Sequence, residues 1–202
     1  MTADATIRTY GFGYDRTVSE PYERMTDAVL AVLVADGFEG VSVRKVAAQA
    51  DVSIGAVQHH FPTKDAMLAA AMDRASERFV ARLGEQMRPD MSAAERLEAL
   101  AVALVCPDPR DRDISVAWLL RLARAAVHEP TAQRHRADWT RVSQWLRALI
   151  VEAAPAVDAE VAAVELLALL DGLACSVAVE PERVSADLAE RIARGHVRGL
   201  VS

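Results

Sequence analysis

The stretch from Val41 to Leu68, VSVRKVAAQADVSIGAVQHHFPTKDAML, decides the fold. Ser42 is placed to cap a short helix, because its hydroxyl can accept from one of the amides that a first turn leaves unpaired. That helix is expected over 43–50. Val46, Ala47 and Ala50 recur at helical spacing and form an inner face, while Arg44, Lys45 and Gln49 stay outside. Ala47 is small enough for a second helix to cross at close range. Asp51-Val52-Ser53 interrupts the pattern, and Ser53 caps a second short helix in which Val57 points inward and Gln58 and His59 point out. Two short helices joined by a tight turn make a helix-turn-helix. An ordinary helical hairpin has the same outline, so the residues downstream matter. Phe61, a stop at Pro62, a cap at Thr63 and a new helix with Lys64 in its first turn follow at once. A cation sits badly against the positive end of a helix dipole, so Lys64 there implies an anion joining it from outside, and a phosphate fits.

The segment from Glu20 to Leu68 resembles the TetR family of bacterial transcriptional regulators. That family shows the same order of cap, short helix, turn, recognition helix and F-P-S/T-K-D/E-A-L/M. The resemblance implies that Ser42, His60 and Lys64 contact DNA phosphates and that Arg44, Ile54, Gly55, Gln58 and His59 face the major groove. Lys45 and Ser53 complete the candidate DNA-contact set. Two departures stand out. Gln58 and His60 occupy positions where the family most often has tyrosine, which changes the contacts there. Asp51 stands where a left-handed backbone normally asks for glycine, a conformation that Asp tolerates better than most residues.

Composition agrees with a helical protein. The chain has 202 residues, 52% hydrophobic and 26% charged, with 9 glycines and 8 prolines, and no strand-like alternation is visible. No uninterrupted apolar run reaches the roughly 18 residues of a membrane span, and the N-terminus lacks an apolar signal segment, so a cytoplasmic protein is expected. Cys106 and Cys175 are far apart and indicate neither a disulfide framework nor a zinc site. No cofactor or metal is expected. The net charge of −6 argues against a general nucleic-acid binder, because counterion release needs clustered Lys and Arg. Locally the balance reverses: between Ser42 and Lys64 the charged residues are Arg44, Lys45, Asp51 and Lys64. Sequence-specific binding then needs two such sites together.

Ahead of the motif, Ser19 or Glu20 opens a helix with Pro21 in its first turn and Met25, Ala28, Val29 and Val32 as its stripe; Gly37 ends it and Phe38 folds back on the last turn. Residues 1–18 are expected as a flexible arm. Arg8, Tyr10, Tyr14 and Arg16 could reach a minor groove, although a disordered terminus is the simpler reading. A DNA-binding domain over 19–67 and a helical ligand-binding and dimerisation domain over 68–202 complete an all-α architecture. In the latter, a long helix from Thr63 to about Gln86 breaks at Gly84 and again at 88–90. Ser92 and Glu95 have capping-box spacing, Asp113 caps a helix from Ile114 to His128, and Pro130 starts one to about Ala153. The last pair spans Asp158 to Val179 and Ser185 to Leu200.

The helix from Asp158 is apolar on nearly all sides and must be covered by its own domain or by a second subunit. In the TetR family the last two long helices form the dimer's four-helix bundle. The resemblance carries that role to Val164, Leu167, Leu170, Ala174, Val177, Leu188 and Ile192. The LLDGLA segment followed by Pro-Glu-Arg-Val-Ser also looks like the choline-repressor branch, without naming a ligand. A homodimer places two recognition helices in successive major grooves about 34 Å apart on a palindromic operator. A small molecule that tilts the long helix after Thr63 would change that separation and release the DNA, so a ligand-responsive repressor is the expected function. Candidate pocket residues are Met87, Trp118, Leu122, Trp139 and Trp145, with Arg121, His135 and Asp171 as polar anchors, although helical Trp and Leu often belong simply to the core. An all-helical enzyme and a protein-binding adaptor are the rivals. His128 and His135, with Glu129 and Asp138 nearby, lack HExxH spacing and read better as exposed helix-end residues; no nucleophile elbow, phosphate loop or Rossmann fingerprint is present. An adaptor leaves Ser42, His60 and Lys64 unexplained.

Overall fold

The structure is a computed structural model that describes residues 20–105 and 108–202. Those residues form nine α-helices and no strand. In chain order they are α1 (Glu20–Gly40), α2 (Val43–Ala50), α3 (Ile54–His60), α4 (Lys64–Gln86), α5 (Ala93–Val105), α6 (Arg112–Ala125), α7 (Glu129–Ala153), α8 (Ala159–Val179) and α9 (Ala186–Val201). The arm expected over 1–18, and Cys106, lie outside the described residues.

Local sequence sets most helix starts. The hydroxyls of Ser42, Ser53, Thr63 and Ser185 accept from Lys45, Ala56, Ala66 and Leu188 N–H, and Asp158 accepts from Glu160 and Val161. Ser92 and Glu95 bond reciprocally as a capping box, with Glu95 N–H to Ser92 Oγ at 3.3 Å and Ser92 N–H to Glu95 Oε2 at 2.7 Å. The backbone kinks at Gly37, where φ is 67°, a conformation that favours glycine, and Phe38 turns back against the first core. Asp51 adopts the left-handed conformation, φ 53° and ψ 52°, and its N–H caps Ala47 C=O. Its exposed side chain makes no hydrogen bond to α3. Asp51→Gly is therefore expected to raise stability by about 0.5–1 kcal/mol, the usual cost of a left-handed non-glycine residue. A denaturant titration of the two proteins measures this, and a destabilised glycine variant would show that the aspartate itself supports the turn.

Three boundaries differ from the sequence reading. Gly84 sits inside α4, because tertiary packing of Leu83 and Met87 outweighs its weak propensity. Asp113 does not cap α6: a 3-10 turn over Pro109–Asp111, capped by Asp108, runs straight into the helix and puts Asp113 in its first turn. His128 does not end α6, which stops at Ala125. Its ring nitrogen instead accepts from Thr131 N–H and caps α7.

Two buried clusters organise the helices. The first joins α1, α2 and α3 to the N-terminal half of α4 around Leu30, Leu33, Val46, Val57, Phe61 and Met67, with Ala117 of α6 reaching into it. The second gathers α5, α7, α8 and α9 around Leu97, Leu100, Trp145, Leu146, Leu149, Leu166 and Leu170, with Leu83 and Met87 from the far end of α4. One rigid helix, α4, thus belongs to both cores, and the expected boundary at 67/68 falls within it.

Candidate functional site

The ten candidate DNA-contact residues, Ser42, Arg44, Lys45, Ser53, Ile54, Gly55, Gln58, His59, His60 and Lys64, are all exposed. Burying Val46, Ala47, Ala50, Val57 and Phe61 fixes the rotation of α2 and α3 and leaves these side chains on the outer faces. Ile54 is 47% exposed, although it is apolar. A Cβ at Gly55 would meet nothing nearer than Ser53 Oγ at 3.9 Å. Nothing among the described residues requires glycine there, so the missing side chain leaves room for an approaching partner. His59 and His60 stand edge to face at 5.2 Å, and Tyr22 from α1 backs His60 at 5.7 Å. Lys45 Nζ reaches Asp36 at 2.9 Å, while Lys64 Nζ lies 3.8 Å from the fully exposed Glu39 carboxylate. Pairs this exposed hold little and are readily exchanged for phosphate.

A cavity of about 90 Å³ lies between α4, α6, α7 and α8. Trp118 and Trp139 stack on each other in its lining, ring centroids 6.0 Å apart, with Phe79, Val80 and Ile114 as further apolar walls. Arg121, only 5% exposed, lines it and pairs with Asp138, which Arg141 also engages. Trp139 Nε1 donates to Asp171 Oδ2 at 3.4 Å. Burial pushes the Asp171 carboxyl up to about 6 against that bond. His135 stacks on Trp139 at 4.7 Å, and burial followed by the charge of Arg121 lowers its pKa. The Trp118 indole N–H is buried with no acceptor among the described residues.

Of the pocket residues expected from sequence, Trp118, Arg121, Trp139 and Asp171 line this cavity and His135 backs it. Met87 and Trp145 belong to the second core instead, and Leu122 faces outward. Neither His128 nor His135 is an exposed helix-end residue, contrary to expectation: one caps α7 and the other is held under Trp139. Among the described residues no cluster of metal-ligating side chains occurs. Sequence reasoning missed Asp138 and Arg141 as cavity residues. The available signal was Arg121 itself, a cation on an apolar stripe, which demands a carboxylate from a neighbouring helix.

The outer surface of α8 also differs from expectation. Leu170 and Ala174 point into the chain's own interior, and Ala174 lines the cavity. Of the other residues expected at the interface, Val164 and Ile192 are exposed and Leu167, Val177 and Leu188 are half-buried; Val161, Ala168, Gly172 and Val179 of α8 and Gly195 and Gly199 of α9 are exposed as well. By length and composition α8 could cross a membrane, yet its inner face is embedded in the second core.

A reading head of two short helices, a long helix leading into a cavity and a terminal helix pair with an open apolar face define a ligand-responsive helix-turn-helix regulator. Residues 26–71 match the family of bacterial regulatory proteins named for TetR, and residues 93–202 match the C-terminal domain of BetI-type transcriptional repressors. The chain is 30% identical over 186 residues to the HTH-type transcriptional regulator BetI of Burkholderia mallei, covering 89% of this chain and 92% of that protein. It is 28% identical over 190 residues to PksA, an HTH-type transcriptional regulator of Bacillus subtilis, covering 88% of each. A transcriptional regulator from Rhodococcus sp. Rha1 is similar in structure, with a TM-score of 0.78 and 33% identity over 91% of this chain and 96% of that one. The chain belongs to the TetR family. As a member it is a transcriptional regulator that binds operator DNA, acts as a dimer and responds to a small molecule; these families and relatives are regulators rather than enzymes.

Proposed function

We propose that the protein is a repressor that holds a palindromic operator as a dimer and leaves it when a small molecule occupies the cavity lined by Trp118 and Trp139. The observation that carries this reading is α4: it begins with Lys64 beside the recognition helix and continues, without a break, along the wall of the cavity at Met72, Ala75 and Phe79. Filling the cavity moves that wall, and a rigid helix delivers the movement to the reading head. Ser42, His60 and Lys64 hold phosphates, Lys45 and Ser53 border them, and Arg44, Ile54, Gly55, Gln58 and His59 approach base edges. The outward faces of α8 and α9 make the dimer. Operator DNA places the protein in the cytoplasm. Selection of bound sequences from random DNA tests the reading; recovery of no two-fold symmetric site would sink it.

The lining defines the effector's chemistry. The apolar walls suit a small, largely apolar molecule, the Trp118 N–H needs an acceptor, and Asp171 offers a carboxylate to a donor or cation. Asp171 also carries a pH signature. Its folded pKa, about 6, lies above the ordinary carboxylate value, so its protonated form favours the folded state at low pH and that contribution is lost as pH rises through about 6. Asp171→Asn keeps an acceptor for Trp139 and carries no charge. Discounted for the solvent that still reaches this side chain, the variant should melt roughly 2–4 °C above the wild type at pH 8 and about level with it near pH 4. A difference in Tm that stays constant across that range would remove Asp171 from the buried wall.

A further inference from the structure

A second groove, of about 200 Å³, lies between the first half of α4 and the junction of α6 with α7; it meets the Trp cavity at Met72 and Arg121, which line both, and opens on the opposite side of them. Its floor is Leu68, Ala69 and Met72, with the buried Arg121, paired with Asp138, at its inner end; its rim carries Arg124, Arg134 and His128, and Asp65 is the one carboxylate among its described lining residues. The Arg124 guanidinium is held firmly: its side chain is 19% exposed, and it sits over the Phe38 ring at 5.6 Å. Its counter-ion is held loosely. Asp65 accepts from Arg124 Nη2 at 2.7 Å and lies 3.7 Å from His128 Nε2, yet its side chain is 64% exposed. Asp65 also stands in the first turn of α4, where the helix dipole stabilises a carboxylate with or without a partner. Displacing it from Arg124 therefore costs little. Arg134 reaches Asp73 at 2.8 Å just behind the groove, so a second cation is at hand.

We infer that this groove is a second ligand site, for a small carboxylate with a short apolar tail, which replaces Asp65 at Arg124 and His128 and lays its tail on Leu68 and Met72. A rigid cation facing a replaceable carboxylate, above an apolar floor, is what such a molecule needs. Binding there also cuts the ion pair that ties the first turn of α4, the turn of Lys64, to α6. The site therefore acts on the reading head from a different place than the Trp cavity does.

Calorimetric titration of the full chain at fixed ionic strength tests this, with pentanoate as the probe and pentanamide as its uncharged counterpart. Pentanoate should bind at least about 10-fold more tightly than the amide. Asp65→Asn removes the competing charge and should tighten pentanoate binding by about 3- to 10-fold, a gain that misfolding cannot mimic. Arg124→Gln should weaken it by about 10-fold or more, and Arg134→Gln supplies the same comparison where the first variant folds poorly. Equal binding of acid and amide overturns the assignment. So does pentanoate affinity that is undetectable in both wild type and Asp65→Asn, or that is unmoved by all three substitutions, since the last result would place the probe elsewhere on the protein.

Discussion

Placing arginine at Val164 is expected to leave a folded protein that no longer dimerises, whereas arginine at Leu170 is expected to prevent folding. The two residues are six apart on one helix and equally apolar, but Val164 is 61% exposed in the single chain and Leu170 is fully buried. At Val164 the new charge meets water in the monomer and loses it only when a second subunit covers α8. An uncompensated buried charge costs about 3–5 kcal/mol, which weakens dimerisation by about 100- to 3,000-fold. Operator affinity should fall with it, because a monomer reads one half-site. At Leu170 a comparable cost falls on folding itself, against a total stability of about 5–15 kcal/mol. Sedimentation velocity and circular dichroism separate the outcomes. A Val164→Arg protein that still sediments as a dimer would move the interface off this face.

That contrast also marks where the sequence stops being legible. Helix starts were readable because a single Ser, Thr or Asp at the right offset makes a capping bond regardless of the rest of the fold: Ser42, Ser53, Thr63, Asp158 and Ser185 all do so. The outer face of the reading head was readable because α2 has a polar and an apolar side. On α8 the pattern fails. Val164, Leu167, Leu170 and Ala174 lie on an element that is apolar almost all round, so periodicity says that the helix is covered but not which flank is covered by its own chain. The cavity was half legible for a related reason. Trp118, Trp139 and Asp171 drew attention by residue type, while Met87 and Trp145 have the same chemistry and sit in solid core. Only the crossing of four helices distinguishes a lining side chain from a packed one. His128 shows the complementary failure, since a histidine at a helix end can close one helix or open the next, and the ring nitrogen's bond to Thr131 N–H decides it.

Replacing Gln58 and replacing Lys64 should weaken operator binding in two different ways, and the difference tests the orientation of the reading head. Both residues are exposed, one on the outer face of α3 and the other at the start of α4. A glutamine amide can pair with N6 and N7 of adenine, a contact worth about 1–3 kcal/mol of discrimination, so Gln58→Ala should lose about 5- to 150-fold in preference at one symmetric position of each half-site. Its effect on unrelated DNA should be small. On the proposed docking Lys64 faces a phosphate, and a phosphate looks the same at every sequence. Lys64→Ala should lower affinity for operator and random DNA alike and reduce the salt slope by about one for each copy of the residue. Its pair with Glu39 is too exposed for its loss to unfold the chain. The two readouts are independent: a selection experiment reports base preference, and a salt titration reports phosphates. Relaxed base preference in Lys64→Ala, or a reduced salt slope with unchanged preference in Gln58→Ala, would mean that α3 enters the groove at another rotation, with His59 or Ile54 at the bases instead.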